Sequence, residues 1–108
     1  MEWQVVFFES ARGGKPVETF FYKQQLKAQA KMLHLFELLK AYGSQLGMPH
    51  AKQLGLSIYE LLVRGKEELR IFYGFKQKTI YLLHAFKKQT QKTPRKEFEI
   101  AKKRLTEV

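Results

Sequence analysis

Apolar and polar positions alternate through three successive short runs between Ser57 and Lys88: SIYELLVRG, EELRIFYGF and TIYLLHAFKK. Alternation with period two predicts β-strands. In the first run Tyr59, Leu61 and Val63 share one face, while Glu60, Leu62 and Arg64 share the other. In the second, Leu69, Ile71, Tyr73 and Phe75 alternate with Glu68, Arg70 and Phe72. The third, Thr79 to Phe86, is more continuously apolar, which predicts a central strand. His84 is expected on one face with Leu82 and Phe86. Gly65-Lys66-Glu67 and Lys76-Gln77-Lys78 are short enough to be hairpin turns.

The flanking segments follow other rules. Trp3 to Phe8 is rich in β-branched and aromatic residues and predicts a strand. Arg12-Gly13-Gly14-Lys15 is a loop by composition. Pro16 suits a first helical turn, and Pro16 to Lys23 predicts a short helix with Val17, Phe20 and Phe21 inward. From about Leu26 to Tyr42 the residues Ala28, Met32, Leu35, Phe36, Leu39 and Tyr42 fall on one helical face, with Gly43 as a cap. Ser44 to Gly55, with Gly47, Pro49 and Gly55, reads as a connector. Thr93 as N-cap and Pro94 at the first helical position open a last helix to about Leu105, burying Phe98, Ala101 and Leu105. Strand, two helices, three strands and a helix make an α+β fold, with helices set against a largely antiparallel sheet. A chain of 108 residues is expected to be one domain, residues 1–108.

Composition narrows the function classes. With 44% hydrophobic and 14% aromatic residues, the chain can build a core and disorder is not expected. Cysteine is absent, so thiolate metal sites and a disulfide framework are excluded. Glu2 and Gln4 interrupt the first apolar run, and no apolar stretch is long enough to span a bilayer. The expectation is a soluble, cytoplasmic protein with no membrane association. The net charge is +10, from 20 Lys and Arg against ten acids. All ten acids are Glu, and most of the excess positive charge lies in the second half. Such a balance favours a polyanionic partner, either nucleic acid or an acidic protein.

Several chemistries lack their residues. There is no Gly-rich phosphate loop, no His-x-x-x-His pair and no Gly-x-Ser-x-Gly elbow. The three histidines, His34, His50 and His84, are far apart, so no metal site is expected, and no cofactor is implied. No two glutamates are marked as a glycosidase pair. Cation chemistry on a phosphodiester remains. Cleaving RNA needs a base for the 2′-hydroxyl, cations for the charge on the transition state and an acid for the leaving oxygen. The planar fork of Arg fits phosphate oxygens, and Lys or His can move protons when neighbours shift their pKa values. Arg70, Arg64, Lys87, Lys88 and His84 can fill these roles if one sheet edge gathers them. Each also has a plainer reading. Arg70 reads equally as a charge facing water, His84 as a structural group, and Lys87 and Lys88 as solvated strand ends. Lys92, Arg95 and Lys96 sit where the helix dipole disfavours cations, which suggests a use such as phosphate contact.

IYELLVRGKEELRIFY, followed by IYLLHAFKKQTQKTPRKEFEIAKKRL, resembles the phage-derived branch of the RelE/HigB toxin superfamily. The branch pattern runs Tyr-Glu-Leu-Arg, then Arg-Ile-Phe-Tyr, then Leu-Leu-His-Gly/Ala-Phe-x-Lys-Lys, then Thr-Pro and a helix. The resemblance covers Met1 to about Leu105. It implies a four-stranded sheet flanked by helices and the toxin role of a type II toxin–antitoxin pair. The implied activity is that of an mRNA interferase: an endoribonuclease that inhibits translation by cutting ribosome-bound mRNA without a metal. The implied partners are mRNA, the ribosome and a cognate antitoxin, often of helix-turn-helix type, with DNA contacted only through the antitoxin. By the same resemblance Arg70 meets the scissile phosphate, Lys87 or Lys88 is the basic residue closing the last strand, and His84 is the branch's strand histidine. Lys52 and Arg64 stand at basic positions before and within the hairpin. Arg70, His84, Lys87 and Lys88 are thus the expected catalytic set, and Lys52, Arg64, Lys92 and Arg95 the expected RNA-binding set.

One position departs from the pattern. Where the branch carries Arg on the first hairpin strand, this chain has Leu62. Arg64, two residues on, is the compensating candidate. The alternative is a catalytically weakened or inactive basic binding protein that acts through an antitoxin–DNA complex. A stand-alone DNA-binding protein finds no helix-turn-helix pattern here.

Overall fold

The three alternating runs pair as consecutive antiparallel strands, and the helices pack against both faces of the sheet they form. The computed structural model describes residues 2–108. In chain order it has β1 (Gln4–Phe7), α1 (Pro16–Tyr22), α2 (Leu26–Tyr42), a 3-10 turn (Gly43–Gln45), β2 (Ala51–Gly55), β3 (Ile58–Val63), β4 (Leu69–Lys76), β5 (Thr79–Lys87) and α3 (Arg95–Leu105). The strand order is β1-β5-β4-β3-β2. β1 runs parallel to β5, and the other pairs are antiparallel.

The expected α+β class and its three helices are present, but the sheet is mixed and has five strands rather than four. The additional strand, β2, lies inside the segment expected to be a connector. Only Ala51 of β2 is buried, while Lys52 and Gln53 are exposed. An edge strand with one hidden side chain carries no periodic signal. It forms because Leu56 (φ 50°) and Ser57 (φ 69°) turn the chain back tightly onto β3, with the positive φ pair of a two-residue hairpin. The last helix also starts one residue later than expected. Pro94 is extended (φ −63°, ψ 134°) and stands outside the helix, whose first residue is Arg95, and no side chain caps it.

The sheet has two buried faces. On one, Val17 and Phe21 of α1 and Met32, Leu35, Phe36 and Leu39 of α2 meet Leu61, Val63, Ile71, Tyr73 and Leu82. On the other, Phe98, Ala101 and Leu105 of α3 meet Ile58, Phe72, Leu83 and Phe86. Tyr42, expected on the buried stripe of α2, is exposed at the helix end. A bulge in β5 changes the expected facing. Phe72 pairs with His84 and Tyr73 with Leu82, so one residue is inserted between them. Leu82 therefore faces α2, while His84 and Phe86 face α3.

Gly43 ends α2 with φ 52°. A Cβ there would lie 1.9 Å from Nε1 of Trp3, whose ring packs edge-on against Phe75 at 5.1 Å. Gly43→Ala is expected to cost about 2–4 kcal/mol, combining left-handed backbone strain with overpacking. Urea denaturation checks this against Ser44→Ala, an exposed neighbour expected to change stability by less than about 0.5 kcal/mol.

Candidate functional site

Strand register assembles most of the predicted residues on the sheet face that carries α3. One row across the sheet reads Lys52, Glu60, Phe72, His84, and the next reads Leu62, Arg70, Phe86. Lys88 follows β5, with its backbone N–H donating to the Glu68 carbonyl at 2.8 Å. His84 and Lys88 thus flank Phe86, the partner of Arg70. Diagonal neighbours of this kind have Cα atoms roughly 7–8 Å apart.

Arg70 is buried, 5% exposed, rather than turned to water. Its Nε lies 3.5 Å from Oε2 of Glu60, and its Nη1 lies 3.1 Å from Oε1 of Glu68. Nη1 also donates to the Leu69 carbonyl at 3.0 Å. Glu60 is completely buried, and Lys52 approaches its other oxygen at 3.7 Å. Arg64 approaches Glu68 at 3.7 Å. The result is a chain of alternating charge, Lys52–Glu60–Arg70–Glu68–Arg64, carrying one net positive charge. Both Glu60 oxygens and Arg70 Nε lack a hydrogen bond. The contacts between them are ion pairs at long range, and the low local dielectric is what makes them matter.

His84 has a different setting. Its Nε2 lies 2.5 Å from Oε1 of Glu97, and its Nδ1 lies 3.3 Å from Nη1 of Arg104. Arg104 also donates to the Leu83 carbonyl at 2.8 Å. Both ring nitrogens are therefore engaged by α3. Burial lowers the imidazole pKa below its ordinary value, outweighing the upward pull of the Glu97 hydrogen bond. In its neutral form the ring donates from Nε2 to the Glu97 carboxylate and accepts at Nδ1 from Arg104. Phe86 stacks on one side at 5.7 Å between centroids, and Phe72 meets the ring edge-on.

The remaining candidates are spread around this centre. Lys87 pairs in register with Leu69, on the α2 side, and binds Glu67 at 2.6 Å. Lys92 lies in the loop before α3, and Arg95 opens the helix; both are exposed. An open cavity of about 500 Å³ is lined by Glu68, Arg70, Lys88, Gln89, Thr90 and Gln91. Arg70 and Lys88 are its cations, so an anion placed there would face one guanidinium held by the sheet and one ammonium. Leu62, buried and directly across from Arg70, supplies no charge. Among the described residues no three His, Cys, Asp or Glu side chains gather as a metal-binding group.

Residues 19–106 match the family model described as Phage derived protein Gp49-like (DUF891). The chain belongs to this family. The Gp49-like family is known as one of toxins from toxin–antitoxin systems. No curated protein matches the chain. Among the described residues of this Gp49-like chain no helix is long and apolar enough to cross a membrane.

Sequence reasoning did not single out Glu60, Glu68, Glu97 or Arg104 in this Gp49-like protein. For Glu60 a signal was present: a carboxylate inside an otherwise apolar strand requires a cation. The other three are recognisable only once the register and the docking of α3 are known.

Removing the buried anion should be costly where removing its exposed partner is not. Glu60→Ala is expected to lose about 3 kcal/mol by leaving the buried Arg70 with only the partly exposed Glu68 as counter-ion. Lys52→Ala should lose less than about 1 kcal/mol. Denaturant titration of both variants checks the difference.

The His84 environment sets a pH dependence. The unfolded chain takes up this proton near pH 6.5, the folded chain only below that, so acid favours unfolding. The contribution is complete above about pH 6.5 and is lost as pH falls through the folded value. Between pH 7.5 and 5.5 the Tm of the wild type should fall more than that of His84→Gln, as thermal scans would show.

Proposed function

We propose that this Gp49-like protein is the toxin of a type II toxin–antitoxin pair and cuts ribosome-bound mRNA as a metal-independent endoribonuclease. The supporting observation is the Arg70 guanidinium, buried in the sheet between Glu60 and Glu68 at the wall of a cavity it shares with Lys88. A fixed guanidinium offsets the charge that develops on a phosphorane-like transition state, and its side chain needs no ordering at the moment of reaction. Lys88 is the group free to move a proton to or from the ribose or the leaving oxygen. His84, engaged at both nitrogens by Glu97 and Arg104, fixes α3 against the sheet and joins the chemistry only if the start of that helix moves. The Arg-Ile-Phe-Tyr and His-Ala-Phe-Lys-Lys runs support placing the family with RelE/HigB-like toxins. The neutralising partner is proposed to be a helix-turn-helix antitoxin, the compartment the cytoplasm, and any contact with DNA indirect.

Leu62 favours a second reading, a catalytically weakened or inactive binder acting through its antitoxin. It stands across from Arg70 where the resembling branch places a cation, and the two glutamates around Arg70 already neutralise part of its charge.

Purified protein with programmed ribosomes should cleave mRNA, and Arg70→Ala should lower the rate at least tenfold, a loss of about 1.4 kcal/mol or more of transition-state stabilisation. Intact message at micromolar protein would overturn the nuclease reading. Leu62→Arg should raise cleavage and growth inhibition if the chain is a weakened nuclease. Unchanged growth with intact antitoxin binding would favour the binder.

A further inference from the structure

A wider cleft of about 890 Å³ opens between the start of α2 and the β3–β4 hairpin. Six cations line it: Lys27, Lys31, Arg64, Lys66, Lys87 and Lys88. Its two acids are already engaged, Glu67 with Lys87, and Glu68 with Arg64 and Arg70. Lys31 reaches across to donate to the Arg64 carbonyl at 2.7 Å, while Lys27 and Lys66 have no ion-pair partner among the described residues. The start of α2 adds to the positive potential. It has no side-chain cap and no acid in its first turn, and Lys27 lies there instead. A cation at that end opposes the helix dipole, and an anion in the cleft relieves the opposition.

Glu68, Lys88 and Gln89 line both this cleft and the Arg70 cavity, so the two are continuous. The apolar residues in the wall are Ala28, Val63 and Leu69, and the latter two are buried. A protein partner would need exposed apolar anchors at the centre of its contact, whereas a polyanionic strand needs only cations. We propose that the cleft binds phosphates of single-stranded RNA adjacent to the one gripped at Arg70, through Lys27, Lys31 and Lys66. The proposal rests on the nuclease reading for its direction, and it extends the RNA track from the α3 face of the sheet to the foot of α2.

Fluorescence anisotropy with a short labelled RNA, methylated at every 2′-oxygen so that it cannot be cut, tests this across a salt series. Each phosphate contact on a single strand contributes about 0.7 to the slope of log affinity against log salt. Lys27→Ala/Lys31→Ala/Lys66→Ala should reduce the slope by about 2, and Lys27→Ala/Lys66→Ala, which leaves the Lys31 bond intact, by about 1.4. Lys76→Ala/Lys102→Ala/Lys103→Ala removes the same charge outside the cleft and should keep the slope of the wild type. Equal slopes for the two triple variants would overturn the proposal. So would a cleft variant that loses affinity for polyglutamate but not for RNA, which would assign the cleft to an acidic protein. Intact mRNA in the ribosome assay sinks the nuclease reading instead, so the two failures are told apart.

Discussion

A carboxylate with no access to water holds a guanidinium inside a β-sheet, and the candidate site takes its shape from that pair. Glu60 lies between Arg70 on the neighbouring strand and Lys52 on the edge strand. Burying either charge alone would be costly, and the pair together rarely stabilises a fold more than an apolar pair of the same size. What the pair supplies is position. Arg70 cannot extend along the surface as an exposed arginine does, because Glu60 and Glu68 hold it from two sides. Of the two cations that line the cavity, Arg70 is therefore the one held in place by buried ion pairs.

The same face is closed on its other flank by a second polar group of a different kind. His84, Glu97 and Arg104 join α3 to β5 through a neutral imidazole rather than a free charge. The stacked rings of His84 and Phe86 and the edge of Phe72 fill the space beneath. One half of the face is thus organised by ion pairs and opens to solvent, while the other is organised by burial and is covered by a helix. The cavity lies on the open half, lined by Arg70, Lys88 and the residues that follow β5, so its fixed charge is reached without displacing a helix.

Much of the fold was legible because strong periodicity marks buried elements. The β3, β4 and β5 runs, the α2 stripe and the α3 stripe each bury at least one unbroken row of side chains. β2 was not legible, since only one of its residues is buried and its turn uses Leu56 and Ser57 rather than an Asn-Gly signal. Nor was the direction of β1, because alternation is the same for parallel and antiparallel strands. At the site, the residue types could be read from the sequence, but that Arg70 and Lys88 share a face follows from the β4–β5 register. The bulge that separates Leu82 from His84 could not, because one inserted residue leaves composition unchanged while inverting the facing of everything before it. The glutamates that neutralise the cations were hidden for a similar reason: pairing depends on register, and register is a property of two strands at once.

β1 lies parallel to β5, with Gln4 beside Thr79. On a ribosome β1 therefore emerges before β2, β3 and β4, while the strand it pairs with follows all three. Until β5 has left the exit tunnel, Val5 to Phe7 have no ladder to join, and Phe7 is not yet held in the sheet against Phe36 of α2. Loop closure over most of the chain slows such pairing, and exposed apolar surface invites association in the meantime. β1 thus stays unpaired while β2, β3 and β4 are made, and the sheet completes itself only once β5 follows them.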